Sequence, residues 1–220
     1  MVSRETSGPP PDLPTWLVER ADLLSTYADL LASAGVERGL IGPREVPRLW
    51  ERHLLNCAVV ADPAVNLVPS GCTVGDVGSG AGLPGLVWAI ARPDISVVLI
   101  EPLLRRTTFL QETVEALGLT SQVVVWRGRA EAGSDTVPSV DVVTARAVAP
   151  LSKLVGWTVP LLKEGGHLVA LKGSSAEQEI EEAAQELLTW HLHDVHAVQV
   201  GVGVVDPPTT VVTGRRGAAD

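Results

Sequence analysis

A glycine-rich run, VGDVGSGAGLPGL, is the segment best suited to hold a small ligand. Glycine lacks a Cβ atom, so a ligand can approach the main chain closely where glycines cluster. Gly80, Gly82 and Gly85 fit the G-x-G-x-x-G spacing of dinucleotide sites. Asp76, Gly78, Gly80 and Gly82 instead fit an acid-x-G-x-G-x-G spacing that is typical of S-adenosylmethionine enzymes. The two patterns predict different chemistry, and glycines that serve only a tight turn are a third interpretation.

Two carboxylates bear on the choice of cofactor. Glu101 ends the next apolar run and can accept hydrogen bonds from both hydroxyls of an adenosine ribose in either case. Asp76 discriminates, because a carboxylate repels a pyrophosphate, whereas S-adenosylmethionine carries an ammonium and a sulfonium and no phosphate. A P-loop is excluded, since no Gly-Lys-Ser/Thr follows the glycines. We therefore expect S-adenosylmethionine as the cofactor, bound by Asp76, the glycine loop and Glu101.

Two cations each follow an apolar run that predicts a strand, Arg146 in TARAVA and Lys172 in HLVALKG. Both are expected to point into one crevice at the carboxyl edge of a sheet. Arginine offers a planar fork for a guanine edge or a phosphate, and lysine offers a point charge. Guanine N7 has a free lone pair, so its methylation needs positioning and no general base. Methylation of an exocyclic amine or a pyrimidine C5 is disfavoured, because no Asn/Asp-Pro-Pro-aromatic motif occurs and Cys57 and Cys72 are expected away from the strand ends.

A local basic patch is the candidate nucleic-acid contact. Arg44, Arg48 and Arg52 recur at every fourth position, which aligns them on one face of a predicted helix, and His53 follows. The net charge of −9 and pI near 5.0 argue against general polyanion binding. The alternative is a solvated face that acidic neighbours partly neutralise.

The remaining pattern alternates strands and helices. Strands are predicted over 73–77, 96–100, 122–126, 141–145 and 167–171, helices over 83–91, 103–117, 151–162 and 176–190, and two final strands over 195–200 and 209–213. Strands joined by helices pair in parallel, and the short last connection predicts an antiparallel hairpin. We predict an α/β, Rossmann-like class I S-adenosylmethionine-dependent methyltransferase fold, with a mostly parallel seven-stranded sheet, a C-terminal antiparallel hairpin and an N-terminal helical extension.

The 220 residues are divided into a disordered tail, 1–14, and a single methyltransferase domain, 15–220. Within the domain, helices are expected over 15–35 and about 44–60, inside an N-terminal region 15–62, and the sheet core over 73–214. No apolar run is long enough to span a membrane, and the two cysteines favour a reducing cytoplasm. We expect a cytoplasmic monomer that binds no membrane and no metal.

Six segments together resemble a known family: ERHLLNCAVV, VGDVGSGAGLPGLVWAIARPD, LIEPLLRRTTFL, RGRAEA, DVVTARAVAPL and GGHLVALKG. They look like the RsmG family, the small-subunit ribosomal RNA guanine-N7 methyltransferases also called glucose-inhibited division protein B. The resemblance extends from about residue 15 to the end. It departs from the family where Ser79 and Ala81 replace frequent threonine and proline, and where Glu101 stands although aspartate also occurs.

The resemblance implies methylation of N7 of guanine 527, in the 530 loop of 16S rRNA, with 16S rRNA or the small ribosomal subunit as partner. It implies that Gly78 and Leu83 contact S-adenosylmethionine, that Ala130 and Glu131 frame the adenine, and that Arg146 lies against cofactor and substrate. Lys172 and His53 are implied as RNA-binding or catalytic groups.

Three other functions remain open at this point. One is a methyltransferase of a small molecule or protein, against which the basic patch argues. Another is an NAD-linked dehydrogenase, which only the G-x-G-x-x-G spacing favours. The last is a non-catalytic ribosome-binding factor that retains a relic cofactor pocket.

Overall fold

The computed structural model describes residues 12–132 and 137–218, and in these ranges seven strands form one sheet. They are β1 (Thr73–Val77), β2 (Ser96–Glu101), β3 (Val123–Arg127), β4 (Val140–Arg146), β5 (Leu162–Lys172), β6 (Leu192–Val200) and β7 (Thr209–Arg216). Their order is β3-β2-β1-β4-β5-β7-β6. β1 to β5 pair in parallel, and β7 runs antiparallel to both of its neighbours. The predicted fold class is confirmed. The predicted tail lies outside the described residues except for 12–14.

Helices precede the sheet or lie between its strands, and they cover both of its faces. They are α1 (Ala21–Leu30), α2 (Asn56–Ala58), α3 (Gly85–Ala91), α4 (Leu104–Ala116), α5 (Leu151–Thr158), α6 (Ala176–Glu182) and α7 (Ala184–Thr189). Alternate strand residues face opposite layers: Val142 packs with the N-terminal helices, α3 and α4, and Val143 packs with α5 to α7. No helix within the described ranges is long and apolar enough to cross a bilayer.

The first predicted helix is present but continues further than expected. A 3-10 turn (Thr15–Arg20) leads into α1, and a wide π-helical turn (Leu31–Gly35) follows. Val36 keeps helical angles, and the chain leaves the helix at Gly39, whose φ is 64°. Gly39, rather than Gly35, therefore supplies the left-handed conformation that ends this helix.

The second predicted helix, about 44–60, is present as a helical region over 43–61, but it is not one regular α-helix. The chain forms a 3-10 helix (Pro43–Arg48), a π-helical segment (Leu49–Leu55), α2 and a final 3-10 turn (Val59–Ala61). At Arg48 the backbone departs from helical angles, with φ −114° and ψ 7°. Pro47 lies directly before this break, and because it has no backbone N–H it removes a hydrogen bond that a regular α-helix would make. The predicted helix over 176–190 is likewise divided into α6 and α7 at Ala183.

Candidate active site

The glycine run forms the turn between β1 and α3, at the carboxyl end of β1. The turn is tied to β2, because the N–H groups of Gly78 and Ser79 both donate to the Ile100 carbonyl, at 2.9 and 3.2 Å. Gly78 has φ 70°, and a Cβ there would lie 2.8 Å from Val148. Gly80 has φ 59°, but a Cβ there would meet only the Gly78 carbonyl oxygen at 3.8 Å. The space beside Gly80 is therefore open to a ligand.

Glu101 ends β2 and supports this turn with its buried carboxylate. One oxygen accepts from the Gly80 N–H at 3.0 Å, and the other accepts from the Leu103 N–H at 3.0 Å. Arg106 lies 3.4 Å from the same carboxylate. These contacts fix a negative charge beside the glycine turn, where a ligand's hydroxyl groups could donate to it.

A cavity of about 660 Å³, the main cavity, lies against this edge of the sheet. The predicted cofactor residues that line it are Gly78, Gly80, Leu83, Glu101, Ala130, Glu131 and Arg146. Ala130 and Glu131 belong to a 3-10 turn, Ala130–Ala132, that follows β3. A cavity of this size matches the usual range for small-molecule sites. Most of the predicted cofactor residues thus lie around one volume.

Asp76 and Gly82 are placed differently from the expectation. The Asp76 side chain is fully buried outside the cavity lining, and its Oδ2 accepts from the Gly85 N–H at 3.0 Å. Side chains alternate along a strand, so Asp76 points toward α3 while the backbone of the next residues meets the cavity. Gly82 faces the core, because a Cβ there would lie 2.5 Å from Leu86. The Asp76 side chain therefore does not reach the cavity and would not contact a ligand there directly.

The Asp76 carboxyl is electrostatically unusual. Its Oδ1 has no hydrogen-bond partner among the described residues. Burial raises the pKa of Asp76 to about 7, although the Gly85 amide, Ser79 and Arg146 all favour the charged form. The group holds the start of α3 against β1.

Arg146, at the end of β4, is held by two side chains from the N-terminal region. One guanidinium nitrogen lies 2.5 Å from His53 Nδ1, and another lies 3.3 Å from the sulfur of Cys57. His53 Nε2 lies 3.0 Å from a Glu45 oxygen. Cys57 therefore lies beside a strand end, contrary to expectation, because the Arg146 side chain reaches it from the end of β4. Its thiol is fully buried, which raises its pKa and leaves it protonated.

A second cavity, of about 600 Å³, adjoins the first. Arg146, Ala147 and Val148 line both cavities and form the wall between them. Ala147 has φ 55°, a conformation that costs a residue with a Cβ free energy and that often occurs at functional sites. Arg52 and Asn56 line the second cavity as well.

Lys172 lines the second cavity and not the main one. Its ammonium donates to the Ala149 carbonyl at 2.8 Å and to Glu179 at 2.7 Å. Only 9% of its side chain is exposed. The sequence predicted that Lys172 and Arg146 share a crevice, and they do share this cavity, but the charge of Lys172 is already paired.

The three predicted RNA-binding arginines are all exposed. They do not share a regular α-helical face, because the backbone changes helix type at Arg48. Arg52 lies at the rim of the second cavity and 4.0 Å from Glu45, whereas Arg44 and Arg48 line neither cavity. In the two described ranges, no group of three or more His, Cys, Asp or Glu side chains could hold a metal ion.

Sequence reasoning missed one wall of the main cavity. Leu40, Ile41 and Gly42, which precede the second helical region, line it together with Glu45 and Trp157. The Gly-Pro pair at 42–43 signals a turn in the sequence, but tertiary packing decides that Gly42 lines the same cavity as the glycine turn.

Comparison with known proteins decides the family. A sequence model described as rRNA small subunit methyltransferase G matches residues 20–203 of this chain. This chain belongs to the rRNA small subunit methyltransferase G family. The family's Thermobifida fusca member is 59% identical over 194 residues, covering 88% of this chain and 79% of that protein. The Salinispora arenicola member is 57% identical over 219 residues, covering 94% of this chain and 88% of that protein.

Solved structures agree on the fold. The S-adenosylmethionine-dependent methyltransferase SibL, in its apo form, matches with a TM-score of 0.60 and 17% identity, covering 93% of this chain and 70% of that chain. The methyltransferase G match includes every residue of both cavities named above, from Leu40 to Glu179. The resemblance that the sequence motifs indicated is therefore confirmed at the level of the family.

Proposed function

We propose that this protein transfers a methyl group from S-adenosylmethionine to N7 of a guanine in 16S rRNA, guanine 527 of the 530 loop. Family membership supports an rRNA substrate. The observation that carries the proposal is the position of Arg146, which lines both cavities and so borders a cofactor and an acceptor at once. The proposal places the activity in the cytoplasm, in a single copy of the chain and without a metal.

The residues of the main cavity fit S-adenosylmethionine. The Glu101 carboxylate is available to the ribose hydroxyls, Ala130 and Glu131 to the adenine, and the open side of Gly80 to the chain that carries the sulfonium. When bound, this cofactor supplies a methyl group that is activated by a positively charged sulfur. Asp76 contributes indirectly in this proposal, because it holds Gly85 and thereby the shape of the turn.

The second cavity is the proposed place of the guanine. N7 attacks with its own lone pair, so the protein's task is to align N7 with the methyl group and to exclude other orientations. Arg146 offers N–H donors that fit guanine O6 or a flanking phosphate, which leaves the N7 lone pair free to attack. Asn56 and Arg52, which also line this cavity, add an amide and a second cation.

Lys172 has a supporting part in this proposal. Its bond to the Ala149 carbonyl ties the loop after Arg146 to β5. Its pairing with Glu179 leaves it less suited to bind a phosphate than Arg52, which is exposed. Arg44 and Arg48 are proposed to contact the RNA backbone beyond the cavity.

The experiment has a cofactor arm and a substrate arm. Equilibrium binding is measured with S-adenosylmethionine and with NAD, and the proposal requires binding of the first only. Methyl transfer from tritiated S-adenosylmethionine is then measured on small subunits and on deproteinised rRNA, both from cells that lack this gene, with Arg146→Ala as the control. Incorporation that depends on Arg146 supports the proposal. Cofactor binding with no incorporation into either RNA contradicts it.

A further inference from the structure

A chain of four side chains connects the N-terminal region to the wall between the cavities. Glu45 meets His53 Nε2 at 3.0 Å, His53 Nδ1 meets Arg146 at 2.5 Å, and Arg146 meets the Cys57 sulfur at 3.3 Å. Glu45 lies in the 3-10 helix Pro43–Arg48, and His53 lies in the π-helical segment Leu49–Leu55 that follows it. The function proposed above uses Arg146 and leaves Glu45 without a part.

The contacts determine which nitrogen of His53 carries the proton. A neutral imidazole has one N–H donor and one acceptor nitrogen, and a guanidinium has donors only. Nδ1 must therefore accept from Arg146, which puts the proton on Nε2. Nε2–H then needs an acceptor, and Glu45 supplies it. In the described residues, no other hydrogen bond to the His53 ring is present.

We propose that Glu45 is a positioning residue for methyl transfer, which holds His53 as the Nε2–H tautomer and thereby orients Arg146 at the wall between the two cavities. The expected effect on the rate of methyl transfer rests on the proposed function. The expected tautomer of His53 does not.

The charges around His53 favour its neutral form. Burial and the Arg146 guanidinium lower the pKa of His53, Glu45 raises it, and Arg52 lowers it. These three charged groups are the ones that face the ring, Glu45 and Arg52 from its own helical region and Arg146 from the end of β4. Protonation would place a second donor at Nδ1 opposite the guanidinium, and Arg146 would lose this contact.

The Glu45 contact is poorly placed to stabilise the fold. About a third of the Glu45 side chain, 34%, is exposed, whereas His53 is only 15% exposed. A hydrogen bond to a partly exposed side chain contributes little to stability, because water can take its place. Replacing Glu45 should therefore change the tautomer and pKa of His53 and the rate of methyl transfer, and should change the free energy of unfolding little.

The first test is a nitrogen NMR titration of the histidines in the full chain, which has five. His53→Gln assigns the His53 signals. The wild type should show the Nε2–H tautomer. Glu45→Gln removes the charge that raises the pKa of His53, so its titration should move to lower pH. Glu45→Ala removes the acceptor, so the Nδ1–H tautomer should become populated. Spectra of both variants that match the wild type would overturn the inference. Glu51→Gln is the matched control, because Glu51 is exposed and lies on the π-helical segment that carries His53.

The second test is a double-mutant cycle in the methyl-transfer assay. Glu45→Ala should lower kcat about tenfold while the KM for S-adenosylmethionine changes less than about threefold. In a His53→Gln background the same change should have no further effect, because Glu45 acts through His53. Losses that multiply would overturn the inference. A wild type that is inactive on rRNA would instead refute the proposed function, and the NMR titration would still decide the part of Glu45.

Discussion

Replacing Asp76 with asparagine should remove a pH dependence of stability. Burial raises the pKa of Asp76 from its usual 3.8 to about 7 in the folded chain. Because the folded state holds its proton more tightly than the unfolded state, the stabilisation is complete below pH 3.8. This stabilisation is lost as the pH rises toward 7, and above pH 7 the free energy of unfolding changes little further from this group. A shift of about 3 pH units corresponds to about 4 kcal/mol at roughly 1.4 kcal/mol per unit.

The accessible part of this change lies between pH 5 and 8, where the contribution should fall by about 2 to 3 kcal/mol. Asparagine has nearly the same shape and keeps an oxygen for the Gly85 N–H, but it does not titrate. The free energy of unfolding is measured in urea at several pH values for the wild type and for Asp76→Asn. The difference between the two should change across this range by that amount, in favour of the variant as pH rises.

Asp141→Asn is the matched control. Burial acts to raise the pKa of Asp141, but Lys163 and the Thr73 amide outweigh it, so the pKa lies below its usual value. Its contribution is therefore lost only in strong acid, and the difference between wild type and this variant should be constant from pH 5 to 8. If the difference in the free energy of unfolding between wild type and Asp76→Asn were also constant from pH 5 to 8, the conclusion that Asp76 is buried and largely unpaired would be wrong.

Three further predictions concern the turn and the site. Gly85→Ala should lower the free energy of unfolding by about 1 to 3 kcal/mol, because the new Cβ would lie 2.6 Å from both Asp76 and Leu99. Gly173→Ala, whose new Cβ would have no atom within 4 Å, should have no such effect in the same urea titration. Glu101→Gln should raise the Kd for S-adenosylmethionine at least about tenfold by calorimetry, since the amide loses a charged acceptor; an unchanged Kd would exclude Glu101 from the cofactor site. Arg146→Lys keeps the charge but loses the planar fork, so kcat should fall about tenfold or more, and wild-type kcat would refute its proposed role.

The sequence predicted the sheet because its strands are short, apolar and separated by helical patterns. Buried parallel strands are continuous apolar runs, and the close spacing of the last two strands indicated the antiparallel hairpin. The strand ends were less accurate: β5 begins at Leu162 and β7 extends to Arg216, beyond the predicted 167 and 213. Backbone pairing with neighbouring strands extends β5 and β7 past their apolar centres, and the pattern of apolar residues cannot predict that pairing.

The site was predictable where it follows from topology. Carboxyl ends of neighbouring parallel strands meet at one edge, which places the glycine turn, Glu101 and Arg146 around one cavity. The contact of Arg146 with Cys57 and the wall formed by Leu40 depend on how the N-terminal region packs. Such contacts join residues far apart in the chain and leave no periodic pattern. The irregular helix around Pro47 was readable in principle, because proline interrupts a helix.

The most direct test of the central claim is to locate the methyl group that the protein adds. Small subunits from cells that lack this gene are treated with the protein and S-adenosylmethionine, the rRNA is cleaved chemically at 7-methylguanine, and the break is mapped by primer extension. The account predicts one new break, at guanine 527 in the 530 loop of 16S rRNA, that is absent with Arg146→Ala. Methyl incorporation with no break at any guanine, or a break elsewhere in the RNA, would contradict it.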